Sequence, residues 1–268
     1  MKLGIFFRNH PVFTSEELAG FLAAAKPRSP RTQDALLAYH VKSGRLVRVR
    51  RGLYAVVPPG ASPETYQFDP FLLASRMTND AVLAFHTALE FHGKAYSVYE
   101  RFTYLTAGIS RPATFRSHLF KAVALPRALS QEDGLSFDVI RAERVGMEVR
   151  VTGLERTFVD VLNRPDLSGS WEEIWRSLET VEFFDLDKVV AYVGLLGNAT
   201  TAAKVGFFLE QHRESLMVDD LHLRTFRDLK PHKPHYLERS RRKAGRFAAD
   251  WNLVVPEEIL NRYWEEQL

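Results

Sequence analysis

The apolar positions of the segment Ser29–Val57, SPRTQDALLAYHVKSGRLVRVRRGLYAVV, change their period partway along it. Placed at about 100° per residue from Pro30, Leu36, Leu37, His40 and Val41 share one side. The other side carries Arg31, Thr32, Ala35, Ala38 and Lys42, with Tyr39 at its edge. Ser29 suits an N-cap, Pro30 the first helical position, where a missing N–H costs nothing, and Gly44 the left-handed residue that closes a helix. Beyond it, Leu46–Arg50 and Leu53–Val57 are β-rich runs separated by Arg51-Gly52, a turn signal that joins antiparallel neighbours. The stretch therefore predicts a helix that runs into a β-hairpin.

The flanking patterns extend this to a domain. In Phe13-Thr14-Ser15-Glu16-Glu17-Leu18, Thr14 and Glu17 have the spacing of a capping box, and Phe13 against Leu18 that of a hydrophobic staple. A helix is expected from there to about Ala25, with Lys26-Pro27-Arg28 turning the chain into the next one. Residues 1–12 read as a short helix or an extended segment packing Phe6 and Phe7. Helix, turn, basic helix and hairpin together predict a winged helix-turn-helix over residues 1–60. The breaker run Pro58-Pro59-Gly60-Ala61-Ser62-Pro63 is the expected boundary. Past it, residues 70–77 and 81–92 look helical, and 101–106, 115–124, 137–141 and 147–151 look like strands. Helices follow at 154–162, 171–181, 187–196, 198–211 and 219–226, then a strand at 251–255 and a helix at 257–267. Trp171, Ile174, Trp175 and Leu178 make an apolar stripe at helical spacing, read as core. The fold class is α+β: an N-terminal winged helix-turn-helix, then a mixed α/β and helical domain over 61–268 with a basic tail at 230–246.

Composition adds exclusions. A hydrophobic content of 46% over 268 residues suffices for packed cores. With no cysteine there is no disulfide framework, thiolate metal site or cysteine nucleophile. The start MKLGIFFRNHPVF is too short and interrupted for a signal peptide, and the longest uncharged run, Val189–Ala203, falls short of a membrane span. A soluble cytoplasmic protein is the expectation. The net charge of +3 hides a division. Residues 1–60 carry ten Lys/Arg against three Asp/Glu, residues 61–229 eighteen against twenty-four, and residues 230–246 seven against one. Charge gathered at two places on an acidic body suggests a nucleic-acid head on a body with another task.

The candidate chemistry comes from that charge. Arg28, Arg31, Thr32 and Lys42 on and before the helix, with Arg45, Arg48, Arg50 and Arg51 on the hairpin, form the candidate double-stranded DNA interface, since each neutralised phosphate releases counterions. Arg239, Arg241, Arg242 and Lys243 form a second basic patch for phosphates or an acidic partner. His86 and Glu90 sit one helical turn apart but lack further ligands for a metal, so no metal and no cofactor is expected. Arg156 and Asp160 also stand one turn apart and could pair. A DNA-acting nuclease would need a site such as Asp138, Glu148 and Arg150, but Arg stands where a Lys is needed and does not lose its proton. A regulator sensing a small molecule in the acidic body is the other alternative. No Gly-rich phosphate loop or Ser/His/Asp set is present, and an enzyme is not expected.

The capped helix, the basic helix and the wing RLVRVRRGLYAV, then AFHTALEFHG, then VTGLERTFVDVL, resemble in this order the AbiEi-type antitoxins of bacterial abortive-infection systems. The RRGLY wing and the LERTFVDVL helix start are the most specific pieces. The resemblance implies a winged-helix head that represses its own operon at promoter repeats. It implies, too, a C-terminal domain that counters a nucleotidyltransferase-like toxin without a stable complex, the type IV arrangement. By position in the head, Arg31, Thr32, Lys42, Arg45, Arg48, Arg50 and Arg51 inherit the DNA role; no residue of the body inherits an antitoxin role.

Overall fold

The computed structural model describes residues 2–24, 29–129, 136–238 and 245–262. The chain separates into two compact units, one of Met1–Leu83, Tyr99–Ala124 and Ile140–Val151, the other of Ala84–Val98, Leu125–Val139 and Thr152–Leu268.

The first unit begins with α1 (Lys2–Asn9), β1 (Val12–Thr14), α2 (Ser15–Ala23), α3 (Pro30–Lys42), β2 (Leu46–Arg50) and β3 (Leu53–Val56). The strands form an antiparallel sheet of order β1-β3-β2. This order of helices and strands is consistent with a winged helix. The capping box forms as the spacing predicts: Glu17 N donates to Thr14 Oγ1 at 3.1 Å and Thr14 N to Glu17 Oε2 at 2.7 Å. Phe6, Phe7, Phe13, Leu18, Leu22, Leu37 and Leu46 make the core of this head. Strand β1 has no counterpart in the sequence pattern: Val12-Phe13-Thr14 is too short to show a period, and only pairing with Leu53-Tyr54-Ala55 defines it.

The rest of the unit comprises α4 (Pro70–Ser75) and the strands β4 (Val82–Leu83), β5 (Arg101–Thr106), β6 (Ala113–Phe115), β7 (His118–Ala124), β8 (Val139–Arg144) and β9 (Met147–Thr152), in a sheet of order β6-β7-β5-β4-β9-β8. Two expectations are corrected here. The helix expected over 81–92 is divided, because Val82 and Leu83 pair antiparallel with β5 and Leu83 parallel with Val151. An apolar pair buried between two strands reads like the buried end of a helix, and the ladder decides it. The single strand expected over 115–124 is likewise two, broken where Arg116 turns to φ 55°. Two arginine contacts tie the head to the remainder of this unit. Arg76 Nη1 donates to Glu17 Oε1 at 2.8 Å, and the Arg50 guanidinium donates to the Met77 carbonyl.

The second unit contains α5 (His86–Phe91), α6 (Leu154–Asn163), α7 (Trp171–Glu179), α8 (Leu186–Leu196), α9 (Ala199–Gln211), α10 (Asp220–Leu229), β10 (His235–Tyr236), β11 (Gly245–Ala248), β12 (Leu253–Pro256) and α11 (Glu257–Leu260). Ser170, Asp185, Asn198 and Asp219 cap their helices through side-chain oxygens. Trp171, Ile174, Trp175 and Leu178 are core, as their spacing indicates. The described parts of the basic tail join a sheet: β12 pairs parallel with β10 and antiparallel with β11.

Charged groups are buried here with partners. Arg156 and Asp160, which the spacing alone would allow as an exposed helical pair, are 1% and 2% exposed. Arg156 Nε lies 3.5 Å from Asp160 Oδ2, Arg156 Nη1 donates to the Phe137 carbonyl at 2.8 Å, and Tyr192 OH donates to Asp160 Oδ1 at 2.7 Å. Burial outweighs Arg156 and pushes the Asp160 carboxyl up to about 6. His86 lies 2.8 Å from Glu90 Oε1 through Nδ1 and 3.0 Å from Glu173 Oε1 through Nε2. Ser97 N and Ser177 Oγ donate to the same Glu173 oxygen. Burial opposes the charged form of both residues. Their mutual contact, joined by Glu90 at His86 and by Ser97 at Glu173, outweighs it, holding Glu173 down at about 2 and His86 above its ordinary value.

The raised His86 value means its stabilisation is complete below pH 6.5 and fades as pH rises through the folded-state value. The loss of unfolding free energy on His86→Gln is therefore expected to be larger at pH 5.5 than at pH 8.5, by denaturant titration; an equal loss at both would contradict the charged pairing. At Gly206 in α9, an added Cβ would overlap the Trp251 ring, whose Nε1 donates to Glu210 Oε2 at 2.6 Å. Gly206→Ala should gain about 1 kcal/mol in helix propensity and lose about 1–3 kcal/mol to overpacking. A net fall in thermal midpoint is expected, with a rise as the contrary result.

Candidate nucleic-acid interface

Helix α3 exists because Ser29 and Pro30 start it and Gly44 ends it. Ser29 Oγ accepts from Thr32 N at 3.3 Å, and Gly44 adopts φ 72° while Arg45 N donates back to the His40 carbonyl at 3.0 Å. Leu37 and His40 are buried and Leu36 half-buried, whereas Val41, expected on the same side, is 37% exposed near the helix end. The Gln33 amide donates to the Ser15 carbonyl and fixes how α3 lies on α2. Arg31, Ala35, Ala38 and Lys42 form the centre of an exposed strip, flanked by Thr32 and Tyr39 on one side and Asp34 on the other. Tyr39 is 66% exposed. Thr32 is less available than its exposure suggests, since its Oγ1 lies 2.9 Å from Ser29 Oγ within the cap.

The hairpin tip is clipped to the start of α2, where Ser15 N donates to the Gly52 carbonyl at 2.8 Å. An irregularity between Arg48 and Arg50 shifts the register, so that Arg48 faces Tyr54 but Arg50 faces Leu53. Arg48 and Arg51 stand out in solvent. Arg45 is exposed, with its guanidinium 4.8 Å over the Phe7 ring. Arg50 differs: it is half-buried and bonded to the Met77 carbonyl. Arg28, and Arg239, Arg241, Arg242 and Lys243 of the second basic patch, lie outside the described residues.

Arg31, Lys42, Arg45, Arg48 and Arg51 are thus exposed cations of one unit. Among the described residues, the ion pairs of that unit are Arg76–Glu17, Arg141–Glu148 and Arg144–Asp69, and none of them involves these five. His40, placed by its spacing on the apolar side of the helix, is a core residue: it is 8% exposed, meets Phe7 edge-on at 5.2 Å, and burial with help from Arg45 lowers its pKa. The residues weighed as a nuclease site have structural partners instead. Asp138 Oδ2 accepts from Arg156 N, Glu148 pairs with Arg141, and Arg150 donates to the Asn79 carbonyl. Arg8 of α1 is a further exposed cation in the head, whose only signal in the sequence is a charge in the helix's last turn.

Comparison with known proteins bears on the head directly. Residues 2–57 match the family model AbiEi_4, described as transcriptional regulator, AbiEi antitoxin, so the resemblance read from the sequence is borne out over this segment. No curated protein matches the chain. Among solved structures, the fold is similar to that of the RV2827C protein from Mycobacterium tuberculosis, with a TM-score of 0.63 and 17% identity over 98% of this chain and 94% of that one. That likeness is one of fold.

Proposed function

We propose that the chain is a transcriptional autorepressor and antitoxin of the AbiE kind, which binds repeats in its own promoter and opposes a nucleotidyltransferase-like toxin without a stable complex. The observation that carries the reading is the set of exposed cations on α3 and the hairpin, without acidic partners among the described residues, inside the segment that matches the regulator family. A helix strip with small Ala35 and Ala38 between Arg31 and Lys42 fits a major groove about 12 Å wide. The hairpin then acts as the wing, with Arg48 and Arg51 on phosphates flanking the groove. Arg31, in the first turn of α3, reads base edges, while Lys42 and Arg45 meet phosphates at its other end. Thr32 and Arg50 contribute by holding helix and wing in place. Arg28 adds to the phosphate contacts before α3, and Arg239, Arg241, Arg242 and Lys243 supply a second contact to phosphates or an acidic partner. The acidic body keeps clear of the DNA and carries the antitoxin role, in the cytoplasm.

Gel-shift titrations over a salt series test this. Each phosphate contact contributes about 0.9 to the slope of log K against log salt, so Arg48→Ala and Arg51→Ala should each flatten it by about that amount on any duplex. Arg31→Ala should cost about 1–3 kcal/mol on the promoter repeat and far less on random DNA. Binding with no salt dependence, or slopes equal to wild type in both hairpin variants, would refute the interface. Co-expression with the neighbouring nucleotidyltransferase should restore growth with the full chain and not with residues 1–60 alone.

A further inference from the structure

The first unit holds a cavity of about 700 Å³, within the range of small-molecule sites. Its walls are mostly carbon, from Phe7, Pro11, Val56, Val57, Tyr66 and Val145 among others. Among the described residues, its charged lining residues are Arg8 and Arg45, with no Asp or Glu. The contrast within the molecule is informative. A cavity of about 650 Å³ in the second unit is lined by Arg164 and Lys204 but also by Asp166, Glu238 and Glu258, and Arg164 pairs there with Asp166. Two arginines in the lining of a mostly apolar cavity, with no acid among its described lining residues, present a demand that a solvated anion meets poorly and an apolar anion meets well. The carbon body displaces water from the walls, and the anionic group accepts charge-assisted hydrogen bonds.

The cavity's place in the fold gives it a second property. Ser43, Gly44 and Arg45 of its lining come directly after α3, and Val56 and Val57 end the hairpin. Val57 N donates to the Arg45 carbonyl at 3.0 Å, which joins these two parts of the wall. We propose that this cavity binds an organic carboxylate with an aromatic or aliphatic body, and that occupancy weakens DNA binding by engaging Arg45. The site stands on the cavity alone, whereas the coupling rests on the reading of Arg45 as a phosphate contact.

Calorimetric titration of the full chain tests the site with 2-naphthoate and decanoate as probes, and with neutral 2-naphthol and acetate as controls for charge and for body. A saturable one-site isotherm is expected for at least one of the two probes, at least tenfold tighter than for either control. Arg8→Gln, which removes a cation, and Ala61→Trp, which fills space at the wall, should each weaken it about tenfold or more. Flat isotherms with both probes, or isotherms that neither variant changes, overturn the site. The coupling is read by gel shift on a random-sequence duplex at constant ionic strength. The saturating probe should lower affinity severalfold in the wild type and leave it unchanged in Arg45→Gln. A bound probe with undiminished wild-type affinity overturns the coupling. A chain that binds no DNA at all overturns the proposed function, and the isotherms still decide the site.

Discussion

Like charges gathered without counter-charges cost free energy, and the head of this protein accepts that cost at its surface. Arg31, Lys42, Arg45, Arg48 and Arg51 are exposed, while the acids of the same sixty residues number three: Glu16, Glu17 and Asp34. Glu17 is spent on the capping box and on Arg76, which leaves little local neutralisation. In water, two unit charges 4 Å apart repel by about 1 kcal/mol, and salt screens this over about 8 Å, so the penalty is bearable for separated side chains. The aromatic cluster of Phe6, Phe7 and Phe13 offsets it, since burying a ring of this size contributes about 1.5–3 kcal/mol. A polyanion that meets this surface relieves the repulsion as well as forming contacts.

The second unit handles charge in the opposite way. It is assembled from three separate stretches of chain, and polar links, some buried and some at the surface, sew the two short stretches to the long one. His86 reaches Glu173, the Tyr96 N–H reaches Ser177 Oγ, Lys94 reaches the Thr180 carbonyl, and Arg156 reaches the Phe137 carbonyl. Removing one member of the buried His86–Glu173 pair strands the other in a low-dielectric interior, at a cost of about 3–5 kcal/mol. These links are exacting about partner and geometry, and they give the unit a specific internal arrangement rather than a merely apolar one.

How much of the molecule is legible in its sequence depends on the range of the interactions. The capping box at Thr14, the Ser29-Pro30 start and the left-handed Gly44 are local, and they fall where the spacing of residues puts them. The stripe Trp171–Leu178 is periodic along its helix and lands in the core. The readings that needed correction depend on distant chain. Val82 and Leu83 become a strand because β5 and β9 flank them, and Arg156 is buried because Phe137 and Tyr192 close over it. The cations of the candidate interface are legible as a cluster. Their individual positions are not, because Arg50 looks identical to Arg48 and Arg51 until the Met77 carbonyl is placed.

That difference among the hairpin arginines has a backbone cause. In a regular strand Arg48 and Arg50 would share a side, two residues apart, and would crowd the same region with charge. The extra residue in the ladder between them gives the two different surroundings: Arg48 stays in solvent while Arg50 turns to a carbonyl of its own unit. The same hairpin is fixed at its tip by the Ser15–Gly52 hydrogen bond and at its root by Val57 to Arg45. Arg48 and Arg51 are therefore projected from a frame already held at three points, and the backbone entropy of shaping the hairpin is lost during folding. Association with a partner then adds, beyond the loss of overall translational and rotational freedom, the cost of ordering side chains, about 0.5–1.5 kcal/mol for each one immobilised, and no cost of ordering the loop.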